Sequence, residues 1–160
     1  MVFFKILRSQ SVGSKRWNVF GAFNAITGQL TTVANDGYIN SMTVCELFRK
    51  LSIQYTGRPI VIVLDNARYQ HCKLVEDLAI ELGITLQFLP SYSPNLNLIE
   101  RLWKFVKKKC LYNFYYETFD DFKTGINDCL ERIETDYKSE LETLMTTNFQ
   151  NLKTACYWRC

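Results

Sequence analysis

The sequence predicts an α/β fold, a sheet with helices on its faces, and three observations carry that reading. Ile60 to Leu64 is an unbroken β-branched and aliphatic run, the pattern of a strand buried on both faces of a partly parallel sheet. Segments of helical periodicity alternate with short strand-like segments in the order hairpin, helix, strand, helix, strand, helix and helical tail. The composition, 160 residues with 48% apolar, 22% charged, 7 Gly and 3 Pro, is that of an ordinary globular domain and excludes disordered, collagen-like and low-complexity chains.

Taken in order, Trp17 to Ala25 alternates, with Trp17, Val19 and Phe23 on one side and Asn18, Phe20 and Asn24 on the other. Thr27-Gly28 then turns the chain into Leu30 to Ala34, which predicts a β-hairpin. Asn40 or Thr43 caps the helix that follows. Thr43 with Glu46 has the spacing of a capping box, and Val44, Leu47, Phe48 and Leu51 recur on one face. Gly57-Arg58-Pro59 ends that helix before the strand Ile60 to Leu64. Leu74, Val75, Leu78 and Leu82 mark a second helix closed by Gly83, and Ile84 to Leu89 is another short strand. Ser93 and Pro94 open a third helix, with Leu96, Ile99, Leu102, Trp103 and Val106 on one face. Two further amphipathic segments follow, Phe119 to Ile133 and Leu141 to Met145. Residues 1–116 read as the core and 117–160 as a helical tail of the same domain.

The six cysteines lack a C-x-x-C pair and there is a single histidine, His71, so no zinc-finger spacing is available and free thiols are expected. No apolar stretch approaches the ~20 residues of a membrane-spanning helix. A soluble, cytoplasmic protein with no membrane partner is the expectation. Net charge is +3, unevenly placed: residues 1–35 hold Lys5, Arg8, Lys15 and Arg16 with no acid, and Arg101 to Lys109 holds five bases with none. Glu117 to Glu142 sets nine acids against three bases. A basic side for a polyanion and an acidic side follow from that division.

Two acids stand where chemistry is done. Asp65 directly follows the strand Ile60 to Leu64, at the carboxyl end where open α/β sheets place ligands. A carboxylate beside that apolar run must reach a rim, a hydrogen-bond donor or a cation. Glu100 lies on the third helix, opposite Ile99 and Val106, with Lys104, Lys107 and Lys108 one and two turns further along that face. Singly, Asp65-Asn66 also reads as a turn or cap and Glu100–Lys104 as a surface i,i+4 pair. Together they make an acidic floor with a basic rim, suited to Mg²⁺ and a phosphodiester.

The segments VIVLDNARYQHCKLV and LQFLPSYSPNLNLIERLWKFVKKK, with 34 residues between Asp65 and Glu100, resemble signature blocks of bacterial insertion-sequence transposases of the mariner-like superfamily, the DDE superfamily endonucleases. GSKRWNVFGAFNAITGQL resembles the strand-pair region of the same family. The resemblance implies an RNase H-like mixed sheet flanked by helices, in which three acids hold two Mg²⁺ (or Mn²⁺) ions for DNA strand cleavage and strand transfer. It makes Asp65 the second acid and Glu100 the third. It implies double-stranded DNA, transposon ends and target, as partner, and a nucleoid-associated location. Lys104, Lys107, Lys108 and Arg68 are the expected DNA contacts; Asn66, Tyr69, His71 and Asn97 shape the site, and Tyr92 lies beside them. Trp103 is expected in the core rather than stacked on a base.

Against the family pattern, the only acids before Asp65 are Asp36, in the loop after the hairpin, and Glu46, inside the following helix. Met1 to Ser9 resembles the segment that follows the first acid. The sequence therefore predicts a sheet lacking its first catalytic strand, with exposed edge and self-association as a corollary. The chain reads as the C-terminal fragment of a transposase, from a truncated or frameshifted gene, inactive by itself. It would pair with intact transposase or with the missing N-terminal part. The alternative is a non-catalytic DNA-binding or transposase-sequestering protein.

Overall fold

The computed structural model describes residues 2–8, 15–65, 67–89, 98–112 and 114–145. Its sheet has five strands: β1 (Val2–Arg8), β2 (Asn18–Asn24), β3 (Leu30–Asn35), β4 (Ile60–Leu64) and β5 (Ile84–Phe88). Their spatial order is β3-β2-β1-β4-β5. β1 runs antiparallel to β2, and β2 to β3, whereas β1–β4 and β4–β5 are parallel. The helices are α1 (Ser41–Gln54), α2 (Lys73–Glu81), α3 (Leu98–Cys110), α4 (Phe119–Glu131) and α5 (Lys138–Met145). The α/β class and the helix-flanked mixed sheet are as expected from the sequence.

One expectation is overturned. The central position, which the sequence reading left vacant, is filled by Val2–Arg8. The run VFFKILR pairs with β2 over its whole length, Val2 opposite Asn24 through Arg8 opposite Asn18, and Val2 and Phe3 pair with Ile62 and Val63 of β4. Apolar and aromatic residues predominate in it, the side chains that suit a pleated surface, and the paired backbone satisfies groups that β2 and β4 would otherwise leave open. The edges of the sheet are accordingly β3 and β5, and the ground for edge-driven self-association falls with the vacancy. The filled strand still carries no acid: its ionisable residues are Lys5 and Arg8.

Two apolar layers enclose the sheet. Phe20, Val33, Ile62 and Leu64 share one buried cluster with Leu47, Phe48 and Leu51 of α1 and Val75 and Leu78 of α2. Val19, Phe23 and Val63 share the other with Ile99, Leu102, Trp103 and Val106 of α3 and Phe122 and Ile126 of α4. Ile62 and Leu64 against Val63 is the period-two alternation of a strand covered on both sides. Phe105, absent from the face expected of α3, is buried as well. Its ring meets Tyr137 edge-on at 5.6 Å just before α5, so α3 is covered on a second side.

Local devices set the ends of the elements. Asn24 Oδ1 accepts from the backbone N–H of Ile26 and Thr27, and Gly28 takes φ 76°, the left-handed geometry that glycine adopts without penalty. Of the two caps left open by the sequence, Asn40 is the N-cap of α1. Its side chain accepts from Met42 and Thr43 N–H, and Thr43 Oγ1 accepts from the Asn40 N–H. Asn40→Ala should lower stability by about 1 kcal/mol, read as a urea midpoint shift with unchanged slope; an unchanged midpoint would contradict the cap. Ser93 and Leu96, expected at the start of α3, lie outside the described residues.

The cysteines also depart from expectation. Cys110 on α3 and Cys129 on α4 are joined in a disulfide, with Cα atoms 6.4 Å apart, while Cys45 and Cys72 are free. Both bonded cysteines lie on the apolar faces by which α3 and α4 pack into one cluster, so helix packing brings together residues that spacing alone does not pair. No helix among the described residues is long and apolar enough to cross a membrane.

Candidate functional site

The carboxyl ends of β4 and β5 are tied by the Leu89 N–H, which donates to the Leu64 carbonyl at 2.9 Å. Asp65 is the next residue along the chain. It is half-buried, and its Oδ1 is buried with no hydrogen-bond partner among the described residues. An anionic oxygen withdrawn from water in this way costs free energy unless a cation or donor meets it. Carboxylate oxygens are hard donors of the kind Mg²⁺ selects. The orphaned oxygen therefore fits the donor chemistry of a divalent ion.

Glu100 lies half-buried in the first turn of α3. Ile99, fully buried, packs in one cluster with Val63 of β4 and Leu89 at the end of β5. Ile99 thus ties the first turn of α3 into that core cluster. Among the described residues no group of three or more His, Cys, Asp or Glu side chains is placed to hold a metal. The other early acids do not complete one. Glu46 pairs with Lys50 on α1 at 3.6 Å. Asp36 follows β3, three strand spacings from β4, a distance of about 14 Å, too far for one ion to span.

Beyond Asp65 a 3₁₀ turn, Arg68–Gln70, carries several expected site residues. Arg68 is exposed, and Tyr69 is half-buried against the α1–α2 cluster. His71 is exposed and stacks on Phe88 with ring centroids 3.9 Å apart, beside the end of β5. Asn66, Asn97 and Tyr92 lie outside the described residues. Gln70, which stands where the family resembled by the sequence commonly has histidine, is fully buried, and neither polar atom of its amide has a hydrogen-bond partner among the described residues.

The basic face of α3 divides in two. Lys109 pairs with Glu140 at 2.8 Å and Arg101 Nη1 donates to the Leu144 carbonyl at 3.3 Å, so both are engaged with α5. Lys104 and Lys108 are exposed and Lys107 half-buried. Lys104 and Lys108 line one wall of a groove of about 700 Å³ between α3 and α5. Their backbone positions are one and two turns, roughly 6 and 12 Å, along the helix axis from Glu100. Trp103 is 4% exposed and belongs to the core, as expected.

The comparisons with known proteins agree with this architecture. The catalytic domain of Mos1 transposase, in a structure with raltegravir and Mg, is similar at a TM-score of 0.60 and 14% identity, over 92% of this chain and 84% of that one. The catalytic core domain of BIV integrase is similar at 0.57 and 17%, over 81% and 80%. An HTLV-2 integrase catalytic core in complex with magnesium gives 0.58 and 14%, over 81% of each. At these identities the likeness is one of fold. An uncharacterised protein of Sinorhizobium fredii (strain NBRC 101917 / NGR234), y4pE/y4sA, is 35% identical over 68 residues, 42% of this chain and about half, 48%, of that protein. The family model for DDE superfamily endonucleases matches residues 6–123, most of the chain and both Asp65 and Glu100, and the protein belongs to that family.

Proposed function

We propose that this chain is the catalytic-core portion of a DNA transposase of the bacterial insertion-sequence type. In this reading it binds a divalent ion and duplex DNA at the carboxyl end of its sheet and does not cut DNA alone. The observation that carries it is the orphaned Asp65 oxygen at the end of a strand adjoining the central one, in a chain of the DDE endonuclease family. Asp65 and Glu100 are the residues that would hold Mg²⁺ or Mn²⁺. When bound, such ions supply Lewis acidity to a phosphodiester and lower the pKa of bound water.

The protein's own groups have separate tasks. Asp65 and Glu100 are acceptor-only and hold positive charge at the floor. Lys104, Lys107 and Lys108, with Arg68, hold the phosphate backbone across it, fixing register without reading sequence. β1 contributes Lys5 and Arg8 and no acid, which supports a site one carboxylate short of the family's three. Cleavage would then require a further chain, and the non-catalytic, transposase-sequestering reading draws on the same observation.

Calorimetric titration with Mn²⁺ tests the metal assignment, since Asp65→Asn keeps the shape and removes the charge. The substitution should weaken binding at least about tenfold, equivalent to 1.4 kcal/mol, and abolish any Mn²⁺-dependent rise in melting temperature. Equal Mn²⁺ affinity in the variant would remove Asp65 from the site. Nicking of a supercoiled plasmid by the purified wild-type chain in Mg²⁺ or Mn²⁺, lost in Asp65→Asn, would overturn the claim that it does not cut alone.

A further inference from the structure

A second cationic pocket lies at the same end of the sheet. β3 is parallel to β1 and β4 through the two antiparallel pairings, so its carboxyl end opens on the side where Asp65 stands. There a cavity of about 470 Å³ is lined by Lys15, Arg16, Tyr38, Phe119 and Lys123, with Asp36 and Asp120 as its carboxylates. Its walls are fixed. Buried Asn18 donates from Nδ2 to the Gly37 carbonyl at 2.7 Å, holding the loop after β3 beside the start of β2. Thr118 and Asp121 form the capping box that sets the first turn of α4, and with it Phe119 and Lys123.

Charge and aromatic surface alternate in this pocket. The Arg16 guanidinium lies 5.6 Å from the centre of the Tyr38 ring, and that ring is 77% exposed. Lys15 and Lys123 lie 5.7 and 5.1 Å from the centre of Phe119. Lys123 is paired with Asp120 at 2.6 Å, whereas Lys15 and Arg16 stand exposed. Exposed cations beside an open aromatic face are the combination that tracks single-stranded nucleic acid: phosphates on the cations and an unpaired base on the ring.

We propose that this pocket binds an unpaired DNA flank running from the duplex held at Asp65, with phosphates on Lys15 and Arg16 and a base on Tyr38. The proposal rests on the reading of the Asp65 end as a DNA site. Three strand spacings separate β3 from β4, about 14 Å. The register also sets the end of β3 three residues, about 10 Å, further along the strand axis than Asp65, so the two places stand about 17 Å apart and about five nucleotides at 3.4 Å each span them along one strand. Asp120 competes for Lys123 and thereby sets the strength of the pocket.

The test is fluorescence anisotropy on the full chain, with a blunt duplex and with the same duplex carrying a five-nucleotide overhang. Wild type should prefer the overhang. Tyr38→Ala should remove that preference, about fivefold or more, while leaving blunt-duplex affinity in place. Lys15→Gln with Arg16→Gln should weaken overhang binding at least about tenfold and flatten its salt dependence. Asp120→Asn should tighten it, a gain that misfolding cannot produce. A wild type that binds both DNAs equally, or variants matching wild type on the overhang, would overturn the pocket and leave the Asp65 reading intact. Absence of any DNA binding by wild type would overturn both. Loss in the pocket variants with none in a Lys104/Lys107/Lys108 variant would support the pocket and count against the α3 face.

Discussion

Trp103→Ala should destabilise the protein by about 3–5 kcal/mol, a large part of the 5–15 kcal/mol typical of a folded domain. The indole is 4% exposed and sits in the cluster between α3 and the sheet. It lies directly over β2: a Cβ built on Gly21 would fall 2.8 Å from Trp103 Cζ2 and 2.9 Å from Cη2. Glycine at this place in a strand is thus a requirement of helix–sheet approach, since a rigid aromatic ring cannot withdraw its far edge as a flexible chain can. In the wild type, Gly21→Ala should cost about 1–3 kcal/mol through overpacking. In a Trp103→Ala background the same methyl enters vacated space, and its cost should vanish or change sign. Urea unfolding of the four proteins gives the coupling directly, expected at about 0.5–3 kcal/mol. A Gly21→Ala protein as stable as wild type would show that the ring does not lie there.

Replacing Lys104, Lys107 and Lys108 together by glutamine should weaken duplex binding on the order of 10²-fold near 0.1 M salt. The slope of log K against log[salt] should flatten by about 2–3. Each lysine that neutralises a phosphate releases condensed counterions, so affinity and salt slope must fall together. Glutamine retains helix propensity, and Lys104 and Lys108 are exposed, so thermal stability should change little and serves as the control. The measurement is anisotropy of a labelled duplex between 50 and 200 mM salt. An unchanged slope would make this a solvated helix face, and Arg101 and Lys109, already engaged with Leu144 and Glu140, could not substitute for it.

The places of Asp65 and Glu100 on their own elements were legible before the fold. Asp65 follows a strand that the chain spells out residue by residue, and the end of such a strand is a place that α/β topology opens to ligands. Glu100 was legible from the helical spacing of Ile99, Leu102 and Val106, which fixes the side of α3 that meets the core. Asn40 was one of two caps the sequence allowed, and only backbone geometry chose between them. Phe105 escaped notice because it lies off the main apolar stripe and is covered by Tyr137, a residue 32 positions later.

The sequence by itself determined the β2–β3 hairpin, the five helices, the β4 and β5 strands and the position of Asp65 at a strand end. These follow from periodicity, caps and turns, which are properties of neighbours within a few residues. Only the tertiary structure decided that Val2–Arg8 occupies the centre of the sheet without an acid, and that Gly21 is the floor beneath Trp103. The same holds for the Cys110–Cys129 pairing and for the pocket that Lys15, Tyr38, Phe119 and Lys123 share. Those outcomes depend on which distant segments close on one another, and contacts between distant segments leave no period in the chain to read.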